Sequence, residues 1–536
     1  MINQMEEDYL KLLASLQKSK AEFKNFDPFY MNLQSGDTNV YRNICIVGGG
    51  LAGYFTGIAL RKFFKIPVTI IESTKIPPIG VGEATTPALE EFLFKMLELD
   101  KKEFYEKVKP TWKFGIKFFW GLPGDYYFNY PFDSKDLVSA MVHNNDVNMC
   151  SLNSLLMSND SSFITEILTD EGSKYQSLSK SLKYALHIDN KKFIHYLKEK
   201  AVSFGVEFID DVITDATLMP DNNEIDSLIG EHGDKYKFDF YVDCSGFKSL
   251  LLEQRMKSKY VSYSKSLFND RAIVATVPNH DKIKCYTLAE SMACGWCWNI
   301  PLRHEDHRGY VYSSGFISDT AAHDEMLLKN PSMSDDSRVI HFKSGRHEEF
   351  IAGNVVGIGN SYAFVEPLES TGVHMIIDEI IIFINNFFNL KRNPNLVKLI
   401  NKDVADHWDY LKSFLSIHFK YNKKFDTPYW KSSNSDIDSS GLDPFVSLYK
   451  EIGFLSAQNT SIKNMLKNLV KDKLFNLDGI DHILLGQGII PRDLKDIVLE
   501  NKQLWDDTVN DWKSILKYSV PLKNDMEIIL KYPELI

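Results

Sequence analysis

Apolar residues in this chain fall into short unbroken runs near its start and amphipathic stretches towards its end. Residues 42–47 (Arg-Asn-Ile-Cys-Ile-Val) read as a buried strand. A glycine-rich turn follows, then a helix from about Ala52 to Phe64, then a second strand over 67–72. Together they form a β-α-β unit of about 30 residues. Another buried strand, Phe238 to Val242, leads into Asp243-Cys-Ser-Gly246. In Thr111-Trp-Lys-Phe-Gly-Ile-Lys-Phe118, alternation puts Lys113 and Lys117 on one face of a strand, with Trp112 and Phe114 on the other. From about residue 376 the pattern is mainly helical, and Ser432–Asp443 reads as a polar loop. Leu10, Leu12, Leu13, Leu16 and Phe23 recur at roughly helical spacing, predicting an amphipathic N-terminal helix packed on the main body or on a neighbouring subunit. The pattern is that of an α/β protein with a helical C-terminal part.

Composition narrows the function. At 536 residues the chain is too long for one compact core. Acidic residues outnumber basic ones, 72 to 61, which argues against nucleic acid or an anionic membrane as partner. Six cysteines are too few for a disulfide scaffold, and cytoplasmic placement is expected. Cys294-Gly-Trp-Cys297 has C-x-x-C spacing but lacks a second cysteine pair, so it is read as structural. The apolar run Met375–Leu390 is broken by Asp378, Glu379, Asn385 and Asn386, so no membrane span is expected. The histidines show no metal-ligand spacing, and His187 is read as structural.

Gly48, Gly50 and Gly53 form G-x-G-x-x-G between the first strand and the helix. The first permits the tight turn, the second lets backbone approach a pyrophosphate, and the third lets helix pack on strand. Glu72 closes the second strand, 19 residues beyond Gly53, where a carboxylate can accept from ribose hydroxyls. This motif leaves NAD and FAD as alternatives. Pro78-Ile-Gly-Val-Gly-Glu-Ala-Thr-Thr-Pro87 adds a loop that can lie against a flat ring or a phosphate.

Gly48-Gly-Gly-Leu-Ala-Gly53 with Gly80-Val-Gly-Glu-Ala-Thr85 resembles the flavin-dependent halogenases of the tryptophan-halogenase family. Gly295-Trp-Cys-Trp-Asn-Ile-Pro301 is similar to that family's W-x-W-x-I-P signature, and Phe364-Val-Glu-Pro-Leu-Glu-Ser-Thr-Gly372 to its second flavin and halide segment. Asp243-Cys-Ser-Gly246 and Asp426-Thr-Pro-Tyr-Trp430 extend the resemblance, in order, to residue 430 and more weakly to about 495. It implies a Rossmann-like FAD-binding module of the flavin monooxygenase type with mixed sheets, plus a helical substrate-covering region. The expected division is an N-terminal extension over 1–38, the FAD-binding domain over 39–390 and the helical region over 391–536. The resemblance makes Lys113 and Glu369 the catalytic pair, and Thr371 and Gly372 the halide-binding pair. It assigns Gly48, Gly50, Leu51, Ala52, Gly53, Glu72, Gly82, Glu83, Ala84, Val212, Asn360 and Val373 to FAD. Trp296 and Trp298, one residue apart and so on one side of a strand, would keep substrate away from the flavin.

No second dinucleotide fingerprint is visible, so the resemblance implies reduced FAD supplied by a separate NAD(P)H:flavin reductase, with halide and a small electron-rich arene as co-substrates. The sequence departs from tryptophan-specific members in Asn464–Gly479, where lysines, asparagines and aliphatic residues replace most of an aromatic patch. The segment after Trp120 also diverges. The expectation is therefore an altered pocket for indoles, phenols or similar arenes rather than free tryptophan. The lysine-rich composition fits a marine viral branch of the family. An FAD-dependent aromatic hydroxylase and a non-catalytic FAD- or lipid-binding scaffold are the alternatives. Oligomeric state is left open.

Overall fold

The computed structural model describes residues 40–76, 82–134, 136–170, 172–220, 223–279, 283–391, 393–491 and 502–536. The expected N-terminal helix, and Pro78 to Val81 of the second loop, lie outside them.

The β-α-β unit is β1 (Ile44–Val47), α1 (Gly50–Phe63) and β2 (Val68–Glu72). These strands are buried almost throughout, as expected for a parallel sheet covered on both faces. Five parallel strands run in the order 207–210, β2, β1, 240–243 and 355–357, with an antiparallel edge at 351–352. Their C-terminal ends bring Val47, Glu72, Asp210, Asp243 and Gly357 to one edge, where ligands bind in open α/β sheets.

A seven-stranded mixed sheet runs in the order 338–341, 271–278, 305–312, 295–301, 287–292, 115–119 and 128–131. A three-stranded sheet pairs 83–84 and 111–113 on either side of 185–188. This corrects the reading of 111–118 as one strand. The chain breaks at Phe114, whose N–H donates to Cys285, so Lys113 and Lys117 belong to different sheets. Lys117 instead faces the rings of Tyr127 and Tyr286.

Two helices frame the site, α2 (Gly372–Asn386) and α3 (Pro394–Lys420). α2 packs against α1. The helical run Gly372–Leu390 is long and apolar enough to cross a membrane by length and composition, and half of it is buried inside the protein. It reads as a core helix, because Glu379 at its centre is buried, accepting from the Gly359 N–H at 2.7 Å and from Trp408 Nε1 at 3.0 Å. Beyond α3 the regular structure of the described residues is helical except for the strand Ser519–Pro521, which pairs with 161–169. The predicted loop at 432–443 is helical in its first half, because Pro428–Asp436 forms a helix capped by Thr427.

Candidate functional site

The glycine-rich turn has the geometry of a phosphate cradle. Gly48 and Gly50 take φ of +105° and +79°, which side chains disfavour. A Cβ on Gly48 would lie 2.4 Å from the Cys244 carbonyl, whereas a Cβ on Gly50 would meet nothing within 4 Å. Backbone is thus crowded behind the turn and open in front of it. Gly49 precedes α1 without a side-chain cap, so the first N–H groups of the helix face that open space. Glu72 lies against Gly49, accepts from the Tyr54 hydroxyl at 2.6 Å and pairs with Lys198 at 2.6 Å. Leu51, Ala52 and Gly53 follow in the first turn of α1. Asn360 is exposed beside Gly359, whose Cβ position is 3.2 Å from Ala52 and 3.3 Å from Ile376 of α2. Val212 follows the 207–210 strand at the same edge of the sheet. These residues fit the pyrophosphate and ribose of a dinucleotide.

The loop from Gly82 to Thr86 joins this cradle to the catalytic candidates. The Gly82 N–H donates to His307 Nδ1 at 2.7 Å, and His307 Nε2 donates to Glu305 at 3.0 Å. Glu83 and Ala84 pair with Ile188 and His187. The Thr85 hydroxyl donates to the Leu186 carbonyl. Thr86 hydrogen-bonds His374, in the first turn of α2, at 2.8 Å.

Lys113 is fully buried. Its Nζ donates to the Thr85 carbonyl at 3.0 Å and lies 5.4 Å from the centre of the Phe132 ring. Desolvation pushes its pKa down to about 7, against the opposing pull of Glu369. His187 stands behind it, between Thr287 (2.9 Å) and Thr111 (3.4 Å). Burial, and then the charge of Lys113, hold its pKa well below the ordinary histidine value.

Glu369 is also buried. Its Oε1 lies 2.7 Å from Nε2 of fully buried His418 on α3. His418 Nδ1 donates to the Phe414 carbonyl at 3.0 Å. No motif drew attention to His418, because its role depends on a contact 49 residues away in sequence.

α2 begins with Thr371 at its N-cap and no side-chain cap. A Cβ on Gly372 would meet nothing within 4 Å. Ser370, at φ +57°, has a buried hydroxyl without a partner. An uncapped helix start with open space before it suits an anion the size of a halide. Val373 is buried in the same turn.

Trp296 and Trp298 share a face of the 295–301 strand, with ring centres 5.9 Å apart. Trp296 Nε1 donates to Glu366 at 2.6 Å, and Asn269 donates to the same oxygen at 2.8 Å. Burial pushes the Glu366 carboxyl up to about 7. Glu366 is a further residue that sequence reasoning missed. All six cysteines, Cys294 and Cys297 included, are buried and free.

The family model described as "Tryptophan halogenase" matches residues 43–503. The chain belongs to this family. It is accordingly a flavin-dependent halogenase that works with reduced FAD and a halide ion. Tryptophan 7-halogenase RebH from Lentzea aerocolonigenes is 27% identical over 84% of this chain and 90% of its own length. 7-chloro-L-tryptophan 6-halogenase KtzR from Kutzneria sp. is 31% identical over 74% of this chain and 83% of its own. Among solved structures, MibH, a lathipeptide tryptophan 5-halogenase, superposes with a TM-score of 0.87 at 35% identity, over 94% of this chain and 96% of that one.

Proposed function

We propose that this halogenase modifies an electron-rich arene carried on a larger molecule, such as an indole side chain within a peptide, rather than free tryptophan. The observation that carries the chemistry is Lys113, an amine buried beside Glu369 and tied to the protein by one carbonyl. Two features support the choice of substrate. The segment 464–479 lacks most of the aromatic patch of tryptophan-specific members, and MibH, the solved structure cited above, is a lathipeptide tryptophan 5-halogenase.

The glycine turn, Glu72, the Gly82–Ala84 loop, Val212 and Asn360 would hold FAD. When bound in reduced form, FAD would supply the two electrons that activate O2, and the activated oxygen would oxidise halide to hypohalous acid. The uncapped start of α2, at Thr371 and Gly372, holds the halide. Trp296, fixed by Glu366, and Trp298 form a wall that admits small species and excludes an arene. Lys113 receives the electrophilic halogen, by hydrogen-bonding hypohalous acid or by exchanging an amine hydrogen for halogen. Glu369 accepts the proton that the arene loses. Tyr130, whose phenol is held neutral by desolvation and then by the charges of Glu369 and Asp478, lies near Glu369. The sequence shows one dinucleotide fingerprint, so a separate NAD(P)H:flavin reductase supplies the reduced cofactor.

The test combines the protein with FAD, a flavin reductase, NADH, O2 and chloride, bromide or iodide in turn. Free tryptophan, indoles, phenols, pyrroles and short tryptophan-containing peptides are screened by product mass. Halogenated peptide or indole, lost in Lys113→Ala while flavin oxidation continues, is the expected result. Preferential turnover of free tryptophan would overturn the substrate assignment. Oxygen without halogen in the product would make the protein a hydroxylase.

A further inference from the structure

The Glu369–His418 pair imposes a charge balance on the site. His418 Nδ1 must carry a hydrogen, because its partner, the Phe414 carbonyl, only accepts. The other ring nitrogen, Nε2, lies 2.7 Å from a carboxylate oxygen, and both side chains are buried. Two lone pairs at that distance, away from water, repel. One proton must therefore lie between them, as carboxylic acid with imidazole or as carboxylate with imidazolium. In either form the pair has no net charge. Trp120 Nε1 donates to the His418 carbonyl at 2.8 Å, and the rings of Phe118 and Phe414 pack on the imidazole. The pair is thus fixed and dry.

We propose that His418 is a positioning residue that neutralises Glu369 and so keeps the neighbouring Lys113 amine uncharged and able to accept halogen. The inference rests on the halogenase reading above. An unprotonated amine attacks hypohalous acid: the N–X bond forms, the O–X bond breaks, and water leaves with the displaced amine proton. The halogen then moves to the arene carbon, and the ring proton passes through Glu369 back to the lysine nitrogen. A bare Glu369 carboxylate would instead raise the Lys113 pKa and so favour ammonium, which has no lone pair to offer. The other titratable groups facing this set are His187 behind Lys113 and Tyr130 beside Glu369, with Asp478 and Tyr410 acting on Tyr130. His187 is buried and Tyr130 half-buried, and desolvation holds both in their neutral forms, so neither supplies the missing charge.

The test is His418→Gln, whose amide can still donate to Glu369 but carries no extra proton. The acidic limb of the kcat/KM profile should move up by about one to three pH units, the effect of an opposite charge at close range. Activity lost at pH 7 should return at higher pH. The second readout needs no turnover: the titration of Lys113 followed by 13Cε-lysine NMR, assigned by loss of its signal in Lys113→Ala. It should show the same upward move in His418→Gln. It should remain where it is in Glu369→Gln, since removing one member of a neutral pair removes no net charge from Lys113. A Lys113 titration unchanged in His418→Gln would overturn the proposal, as would a clear fall in Glu369→Gln. So would an equal activity loss at every pH. If the wild type halogenates nothing, the functional reading fails first, and the NMR titration still judges the electrostatic claim.

Discussion

Lys113→Met should make the protein more stable at neutral pH while abolishing halogenation. An ordinary lysine titrates at 10.5, and burial has brought Lys113 to about 7. The gap of about 3.5 in pKa corresponds to about 5 kcal/mol of cost for holding the ammonium inside the fold, at 1.36 kcal/mol per pKa unit. The sign follows from linkage. The unfolded chain binds the proton more tightly than the folded one, so the wild type gains stability as pH rises from about 7 towards 10.5. Below pH 7 the whole cost is present. At pH 7 about 4 kcal/mol of it remains, and at pH 10 less than about 1 kcal/mol. Methionine fills nearly the same volume without charge. It leaves the Thr85 carbonyl without its donor, a loss of about 1 kcal/mol. The net gain is about 3 kcal/mol at pH 7, vanishing near pH 10. Urea unfolding of both proteins at pH 6, 7 and 10, followed by circular dichroism, measures it. A variant less stable than wild type at pH 7, or a difference that does not shrink with pH, would refute the reasoning.

Two further substitutions test other parts of the site. Gly372→Val fills the open space before α2 and should raise the KM for halide at least about tenfold, one tenfold step costing only about 1.4 kcal/mol; FAD affinity, measured by flavin fluorescence, should not change. Glu366→Leu strips Trp296 and Asn269 of their shared acceptor. It should cost about 1–3 kcal/mol per stranded donor in chemical denaturation and lower the halogenated product formed per reduced FAD consumed, whereas Glu366→Gln keeps an acceptor oxygen and should lose less.

The β-α-β unit was legible in the sequence because its determinants are local. Buried runs at 42–47 and 67–72, a helix between them and glycines at fixed offsets specify strand, turn and helix, and the structure shifts their boundaries by one to two residues at most ends. The order of the family motifs likewise named the catalytic candidates. Three things waited for the tertiary structure. The break at Phe114 depends on which strand lies alongside, and alternation within a single segment carries no record of that. The partners of Glu369 and Trp296 arrive from 49 and 70 residues away, and no spacing rule reaches so far. The chemistry of Lys113 was the last to be decided. In sequence it is one lysine among many, and a solvated amine would be the ordinary reading. Only its burial among Thr85, Phe132 and their neighbours takes it out of water, and that loss of hydration brings its pKa down to about 7 against the pull of Glu369.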